Sequence, residues 1–303
     1  MLTSHEMYLD MIEKVMDRAR REETPRAASF TDIATAMALI PDGARLAISK
    51  IEPMAAVRAL VAMGRHDLHL IAVPTAGFAA DLLVAAGLVR VIETGAVLLQ
   101  EHGAAPAVMR ALAEGRVQRI ESACPLLELQ IQAGALGLPF VPVPGLEGSD
   151  VLAARPDLSV VTSPFSGEAV VLAPALRPDV TLIHALRADL DGNIVVSALA
   201  EDHLLARAAH MCIATVESVC VDALASLSAD ERVVPAFFVS ALVEAPHGTW
   251  PLALPGVRDA DAQGIATYLA ASARAAENPF FPFAAPTRPA PDFHYSAKRT
   301  SDR

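Results

Sequence analysis

From Leu46 to Val143 the chain alternates short apolar runs with amphipathic stretches, and this alternation restricts the possible folds more than any other feature. Leu46–Ser49, Leu68–Val73, Val89–Val97, Val117–Glu121 and Phe140–Val143 read as strands. Between them Met54–Met63, Ala79–Ala86, Ala107–Glu114 and Leu126–Leu136 read as helices, with Gly87, Gly115 and Gly137 standing where three of them stop. Strand–helix pairs repeated at this spacing imply right-handed crossovers and parallel pairing. The expected class is therefore α/β, an open, mainly parallel sheet flanked by helices. Of the 303 residues, 53% are hydrophobic but only 5% aromatic, so Ala, Leu and Val must fill the core between helices and sheet.

The flanking regions are less regular. Residues 5–22 place Met7, Met11, Ile12, Val15 and Met16 near helical spacing, and Asp32 to Ile40 reads as a second short helix before the turn Pro41-Asp42-Gly43. From Pro144 to Phe165 the pattern lapses into Gly, Pro, Ser and Asp, which reads as a long loop, followed by a hairpin strand at Ala169–Leu172. After the turn at Gly192 the sequence predicts a helix near Asp202–Ala209, a strand at Cys212–Val216 and strand-rich chain over Val233–Val243. Beyond Asn278, Pro279, Pro282, Pro286, Pro289 and Pro291 rule out regular structure and suggest a tail crossing a surface or a partner. The expected organisation is a helical segment over 1–40, one domain over 41–277 and a proline-rich tail over 278–303.

Charge and cysteines narrow the setting. Lys plus Arg number 24 against 35 Asp plus Glu, a net −11, so no nucleic-acid partner is expected, although a pocket can still be locally positive for a small anion. Cys124, Cys212 and Cys220 form no Cys-x-x-Cys pair, as suits reduced thiols in a cytoplasmic protein. The N-terminal stretch does not read as a signal peptide, and the apolar run near Val233–Val243 is too short to span a bilayer, so no membrane partner is expected.

Four segments carry possible chemistry. Pro174 to Ser197 holds a β-branched run, Val180–His184, that suits a strand buried on both faces. His184, Arg187 and Asp189 follow at its carboxyl end, where open α/β sheets collect ligands, and Asp191-Gly192-Asn193 closes it. These polar groups serve either a ligand or a paired structural turn. The run Ala47-Ile48-Ser49-Lys50-Ile51-Glu52-Pro53 ends a strand just before a helix, a place where backbone N–H groups meet ligands. Lys50 there is either a positive charge for an anionic ligand such as a carboxylate, or a plain turn lysine. In Leu99-Gln100-Glu101-His102-Gly103, a carboxylate beside an imidazole is either an acid–base site or a cap for the helix that follows. Gly145, Gly148, Ser149 and Asp150 form either a contact loop or a solvated turn. His66 and His69 lack a third ligand at suitable spacing, so no metal is expected. His203 and His210, seven apart, would share one helix face.

Pro-Ala-Leu-Arg-Pro-Asp-Val with the later His-Ala, Ala-Asp and Gly-Asn resembles a signature of the α subunits of family I coenzyme A transferases, of the glutaconate CoA-transferase kind. Leu138-Pro139-Phe140-Val141-Pro142 with Gly148-Ser149-Asp150, and Val243-Glu244-Ala245-Pro246-His247-Gly248, are similar to two further segments of that family. The resemblance runs from about Asp42 to Gly256. It implies the CoA-transferase α-subunit fold, a β-subunit partner in a heterodimer or heterotetramer, acyl-CoA and carboxylic acid substrates, and no tightly bound cofactor. It implies CoA or substrate contacts at Ser49, Lys50, Ile51, Gly77, His102, Gly103, Gly148, Asp150, His184, Asp189 and Asn193, and an auxiliary catalytic role for Glu101. The family's nucleophile is the Glu of a Ser-Glu-Asn-Gly segment in the β chain. This chain lacks that segment, Ala276-Glu277-Asn278-Pro279 being the nearest string. Ser49-Lys50 also stands where the family carries a pair of glycines. That departure leaves open a ring-opening hydrolase of CoA thioesters of the steroid-breakdown type, or a non-catalytic acyl-CoA-binding subunit.

Overall fold

The computed structural model describes residues 29–73 and 77–274. The helix expected over 5–22 and the proline-rich tail lie outside them. Strand β1 (Ser29–Phe30) is followed by helix α1 (Ile33–Ala38), where Asp32 caps the first turn by accepting the Thr35 N–H at 2.9 Å. The alternation then runs β2 (Arg45–Ser49), α2 (Met54–Met63), β3 (Leu68–Val73), α3 (Phe78–Ala85), β4 (Val89–Thr94), α4 (Pro106–Ala113) and β5 (Gln118–Glu121). Later come β9 (Val180–Ala185), α7 (Asp202–Ala208), β12 (Met211–Val216) and β14 (Ala241–Glu244).

These strands build one sheet in the order β1-β14-β12-β9-β2-β3-β4-β5, parallel throughout. After β1, which lies at one edge beside β14, the chain enters the centre with β2, grows outward to β5, returns to β9 beside β2 and grows out through β12 and β14 toward β1. The direction of growth reverses between β2 and β9. Every residue of β9 is buried, as its unbroken apolar run requires.

Two smaller sheets flank the main one. After helix α5 (Cys124–Ala135), β6 (Phe140–Val143), β7 (Ser159–Thr162) and β8 (Ala169–Pro174) pair antiparallel in the order β6-β8-β7. The hairpin strand expected at Ala169–Leu172 is β8. Strands β10 (Arg187–Ala188), β11 (Ile194–Ser197) and β13 (Glu231–Val234) form the other. Helix α8 (Ala262–Arg274) closes the described chain.

Three expectations need correction. Residues 144–165 are not one loop, for helix α6 (Asp150–Ala154) and β7 lie within them. Ser149 caps α6, and Leu146 and Leu158 join Val143, Leu126 and Val171 in a buried cluster that the polar sequence conceals. The strand expected to reach Val97 stops at Thr94, whose hydroxyl donates to the Ala96 carbonyl at 2.8 Å and turns the chain. His203 and His210 share no helix face. α7 ends at Ala208, and the His210 N–H donates to the Pro178 carbonyl at 2.9 Å.

Candidate functional site

In an open α/β sheet the crevice for ligands lies beyond the carboxyl ends of the strands, where the order of growth reverses. Here that point is the end of β2 against β9. Ser49 closes β2 and is buried, and its Oγ accepts the Ile51 N–H at 3.2 Å, which folds the loop back. Ile51 is anchored in a small apolar cluster with Ala200 and Leu254. Lys50 stays exposed, its Nζ 4.0 Å from Glu201 Oε1.

Two buried carboxyl groups stand on either side of Ser49. Asp202 is wholly buried, and neither of its oxygens has a hydrogen-bond partner among the described residues. Burial lifts its pKa to about 7, an effect that the nearby Ser49 hydroxyl and Lys50 ammonium only partly offset. On the other side Glu52 lies over the start of α3. Its Oε2 accepts the Ala79 N–H, the Phe78 N–H points at the same carboxyl, and burial still raises its pKa to about 7. Gly77 is a steric requirement, because a Cβ there would collide with Glu52 Oε1.

The Glu101 segment joins this flank through Phe78. Gln100–His102 forms a single 3-10 turn, and the His102 ring meets Phe78 edge-on with centroids 6.3 Å apart. Glu101 points to solvent, its side chain 75% exposed and Oε1 3.7 Å from His102 Nε2. Gly103 follows with φ 87°, a left-handed backbone that turns the chain into α4. Helix α3 is itself held by Asp81. Its Oδ1 accepts the Ala107 and Val108 N–H groups at 2.8 and 3.1 Å, and its Oδ2 accepts the Tyr268 and Ser272 hydroxyls at 2.7 and 2.9 Å.

The remaining candidates are engaged elsewhere. His184 is buried, with Nδ1 2.9 Å from Thr215 Oγ1 and Nε2 3.2 Å from Glu217 Oε2. Burial lowers its pKa against the pull of Glu217. Burial alone would raise Glu217, yet His184, the His247 N–H and the Arg258 guanidinium hold it at about 2. The Val243–Gly248 segment closes this cluster, for a Cβ at Gly248 would collide with His184 Cε1. Asp189 and Asn193 bind each other, Asn193 Nδ2 donating to Asp189 Oδ2 at 2.7 Å, within the turn between β10 and β11. Gly148 and Asp150 flank the Ser149 cap, whose bonds stay within that turn. His66 pairs with Asp42 at 3.2 Å and His69 with Glu93 at 3.3 Å.

Sequence reasoning passed over Glu52, Asp202, Asp81 and Glu217. Only Glu52 left a visible signal, a carboxylate set between Ile51 and Pro53 directly after a strand.

The reversal between β2 and β9 makes this a doubly wound α/β sheet. The chain belongs to the coenzyme A transferase family, whose model matches residues 30–245, and is of the α-subunit kind. It is 32% identical to the A subunit of 3-oxoadipate CoA-transferase from Pseudomonas knackmussii over 69% of this chain and 74% of that one. It is 30% identical to the cholesterol ring-cleaving hydrolase IpdA subunit of Mycobacterium tuberculosis over 66% of this chain and 72% of the other. The solved decarboxylase AibA/AibB superposes with a TM-score of 0.73 at 33% identity, covering 82% of this chain and 94% of that one. The chain spans about half the length of two longer relatives, 46% of an Archaeoglobus fulgidus protein and 48% of the A subunit of glutaconate CoA-transferase from Acidaminococcus fermentans. Among the described residues no helix is long and apolar enough to cross a membrane.

Proposed function

We propose that this chain is the α subunit of a two-subunit enzyme that moves CoA between an acyl-CoA thioester and a free carboxylic acid. The observation that carries the reading is the placement of the Ser49-Lys50-Ile51 loop at the reversal point of the sheet, in a chain of the CoA-transferase α-subunit kind. Lys50, exposed beside that point, offers a positive charge to a carboxylate or to the CoA moiety. Glu101, exposed beside His102, is a carboxylate that can orient a substrate group or move a proton, work worth roughly 10²–10⁴ in rate. The covalent step falls to a β partner. Its carboxylate attacks the thioester, releases CoA thiolate and forms an acyl anhydride. The thiolate then takes the enzyme acyl group and frees the acid, and the acceptor acid runs the two steps in reverse, leaving as the new thioester and restoring the carboxylate. A carboxylate suits this task because its products stay as activated as the thioester. CoA enters as substrate, and no tightly bound cofactor is needed.

The hydrolase and decarboxylase names among the relatives support a second reading, favoured by Ser49-Lys50 in place of two glycines. Co-expression with a β-type subunit, followed by assay of a panel of acyl-CoA thioesters with isotope-labelled carboxylic acids, separates the outcomes. Label entering a new thioester is expected, and Glu101→Gln in the complex should slow it with folding intact. Free CoA or a ring-opened acid would mean hydrolysis, and carbon dioxide would mean decarboxylation. Transfer by this chain alone would overturn the division of labour.

A further inference from the structure

The free edges of the three sheets are not alike. β5, at one edge of the main sheet, carries Arg119 and Glu121 paired at 2.8 Å, and β13 opens with Glu231-Arg232. β6 holds Pro142, which has no N–H to offer, and β1 and β10 are two residues long. Charges, prolines and brevity are the means by which a sheet keeps a free edge from joining another. β7 reads Ser-Val-Val-Thr, with neither charge nor proline. It pairs with β8 on one side, and among the described residues no strand lies on the other. All four of its residues are exposed, Val160 by 55% and Val161 by 40%.

The hairpin that follows has a fixed shape. Ser163 Oγ accepts the Phe165 and Ser166 N–H groups, each at 3.2 Å, and the Gly167 N–H donates to the Ser163 carbonyl at 2.9 Å. Phe165 at its tip is 99% exposed. The Ser163 N–H donates to the Glu168 carbonyl at 2.8 Å. Main-chain groups alternate along an antiparallel ladder, so Val161 also faces β8, whereas Val160 and Thr162 direct N–H and C=O away from it. Two donors and two acceptors therefore stand in a row along the outer edge.

We propose that β7 pairs with β7 of a second copy of this chain, antiparallel about a two-fold axis at Val161, so that two three-stranded sheets become one of six strands. Val161 then stands opposite Val161 of the second copy, and Val160 opposite its Thr162. This register uses every outward group: each Val160 N–H meets a Thr162 carbonyl, and each Thr162 N–H a Val160 carbonyl. Two observations favour a second copy as the occupant. Meeting itself, the strand sets β-branched side chains against one another, as an isologous contact requires. The chain also carries a net −11, so two copies repel wherever their charges meet. From Leu158 to Gly167 no residue is charged, and Asp157 just before them is held by Arg155 through two bonds of 2.8 Å. A join of four residues and a hairpin tip falls below the roughly 1,200 Å² of a durable complex, so it forms as concentration rises. The inference stands apart from the reaction assigned above.

The test uses the full chain purified with its β-type subunit. Under mild oxidation Val161→Cys should link two copies, because directly opposed residues of antiparallel strands lie within the roughly 4.4–6.8 Å between Cα atoms that a disulfide spans. Val160→Cys, opposite Thr162, should link at least about tenfold less. Wild type, with its own three cysteines, sets the background. Sedimentation over about 1–200 µM should show the copies of this chain in each particle doubling. Thr162→Pro removes an outward N–H, leaves the ladder with β8 whole and should hold the particle at one copy. Should its thermal midpoint fall, Val160→Lys, which charges the exposed edge, gives the same reading. Equal linking by Val160→Cys and Val161→Cys, or one copy at every concentration, overturns the proposal. So does doubling that survives both edge variants, and so does loss of the β-type subunit from them, which would give the edge to that partner.

Discussion

Asp202 is a wholly buried carboxyl group beside Ser49, and its cost depends on pH. Unfolded, it ionises near 3.8; folded, burial holds it protonated up to about 7. The native chain therefore binds an extra proton between those values. Its contribution to stability is intact below about pH 4 and is lost as pH rises through 7. Glu52 acts with the same sign. Glu217, held at about 2, acts oppositely, and its contribution disappears as pH falls from 4.5 toward 2. Asp202→Asn should flatten the decline between pH 5 and 8 by about 1–4 kcal/mol, measured by denaturant titration at both pH values. An unchanged slope would mean that Asp202 ionises freely in the fold. None of this was legible in the string Ala200-Glu201-Asp202-His203, which reads as an ordinary acidic helix start. Glu52 was hidden for a related reason. Its environment is created by α3, 27 residues further along the chain.

At the level of elements, α5 shows how close packing overrides local preference. Gly134 lies inside this helix, where alanine would normally be favoured by about 1 kcal/mol. A Cβ there would collide with the Leu176 carbonyl oxygen, a backbone atom that cannot rotate away. Gly134→Ala should thus lower stability by roughly 1–3 kcal/mol, read as a shift of the denaturation midpoint. A midpoint equal to or above wild type would show that the helix can step back from residue 176. Elements with a strong period were legible: Met54–Met63, Leu68–Val73 and Phe140–Val143 fall where the sequence places them. α6 and β7 were not, because α6 is a single short turn whose Val151 and Leu152 gain their partners from α5 and β8, and β7 keeps Val160 and Val161 exposed and is held by its pairing with β8. α8 was not read from the sequence although Ile265, Tyr268, Leu269 and Ser272 fall at helical spacing and pack inward.

For the whole molecule, the alternation of strands and helices made the parallel sheet foreseeable, whereas the reversal between β2 and β9 appears only once the strands pair. What couples that reversal point to the end of the described chain is the bonding of Asp81. It joins α4 and α8 to the helix that carries Glu52's donors. Replacing both hydroxyls, as Tyr268→Phe with Ser272→Ala, leaves Asp81 Oδ2 buried and unpaired. That should cost roughly 1–3 kcal/mol and be visible as a lowered thermal midpoint, while an unaffected midpoint would show that α8 merely lies alongside. The family match ends at residue 245, yet the groups that complete this bonding stand at 268 and 272. Whoever recombines segments among relatives at residue 245 would sever a helix from its anchor, so the inheritable unit is longer than the region the family model matches.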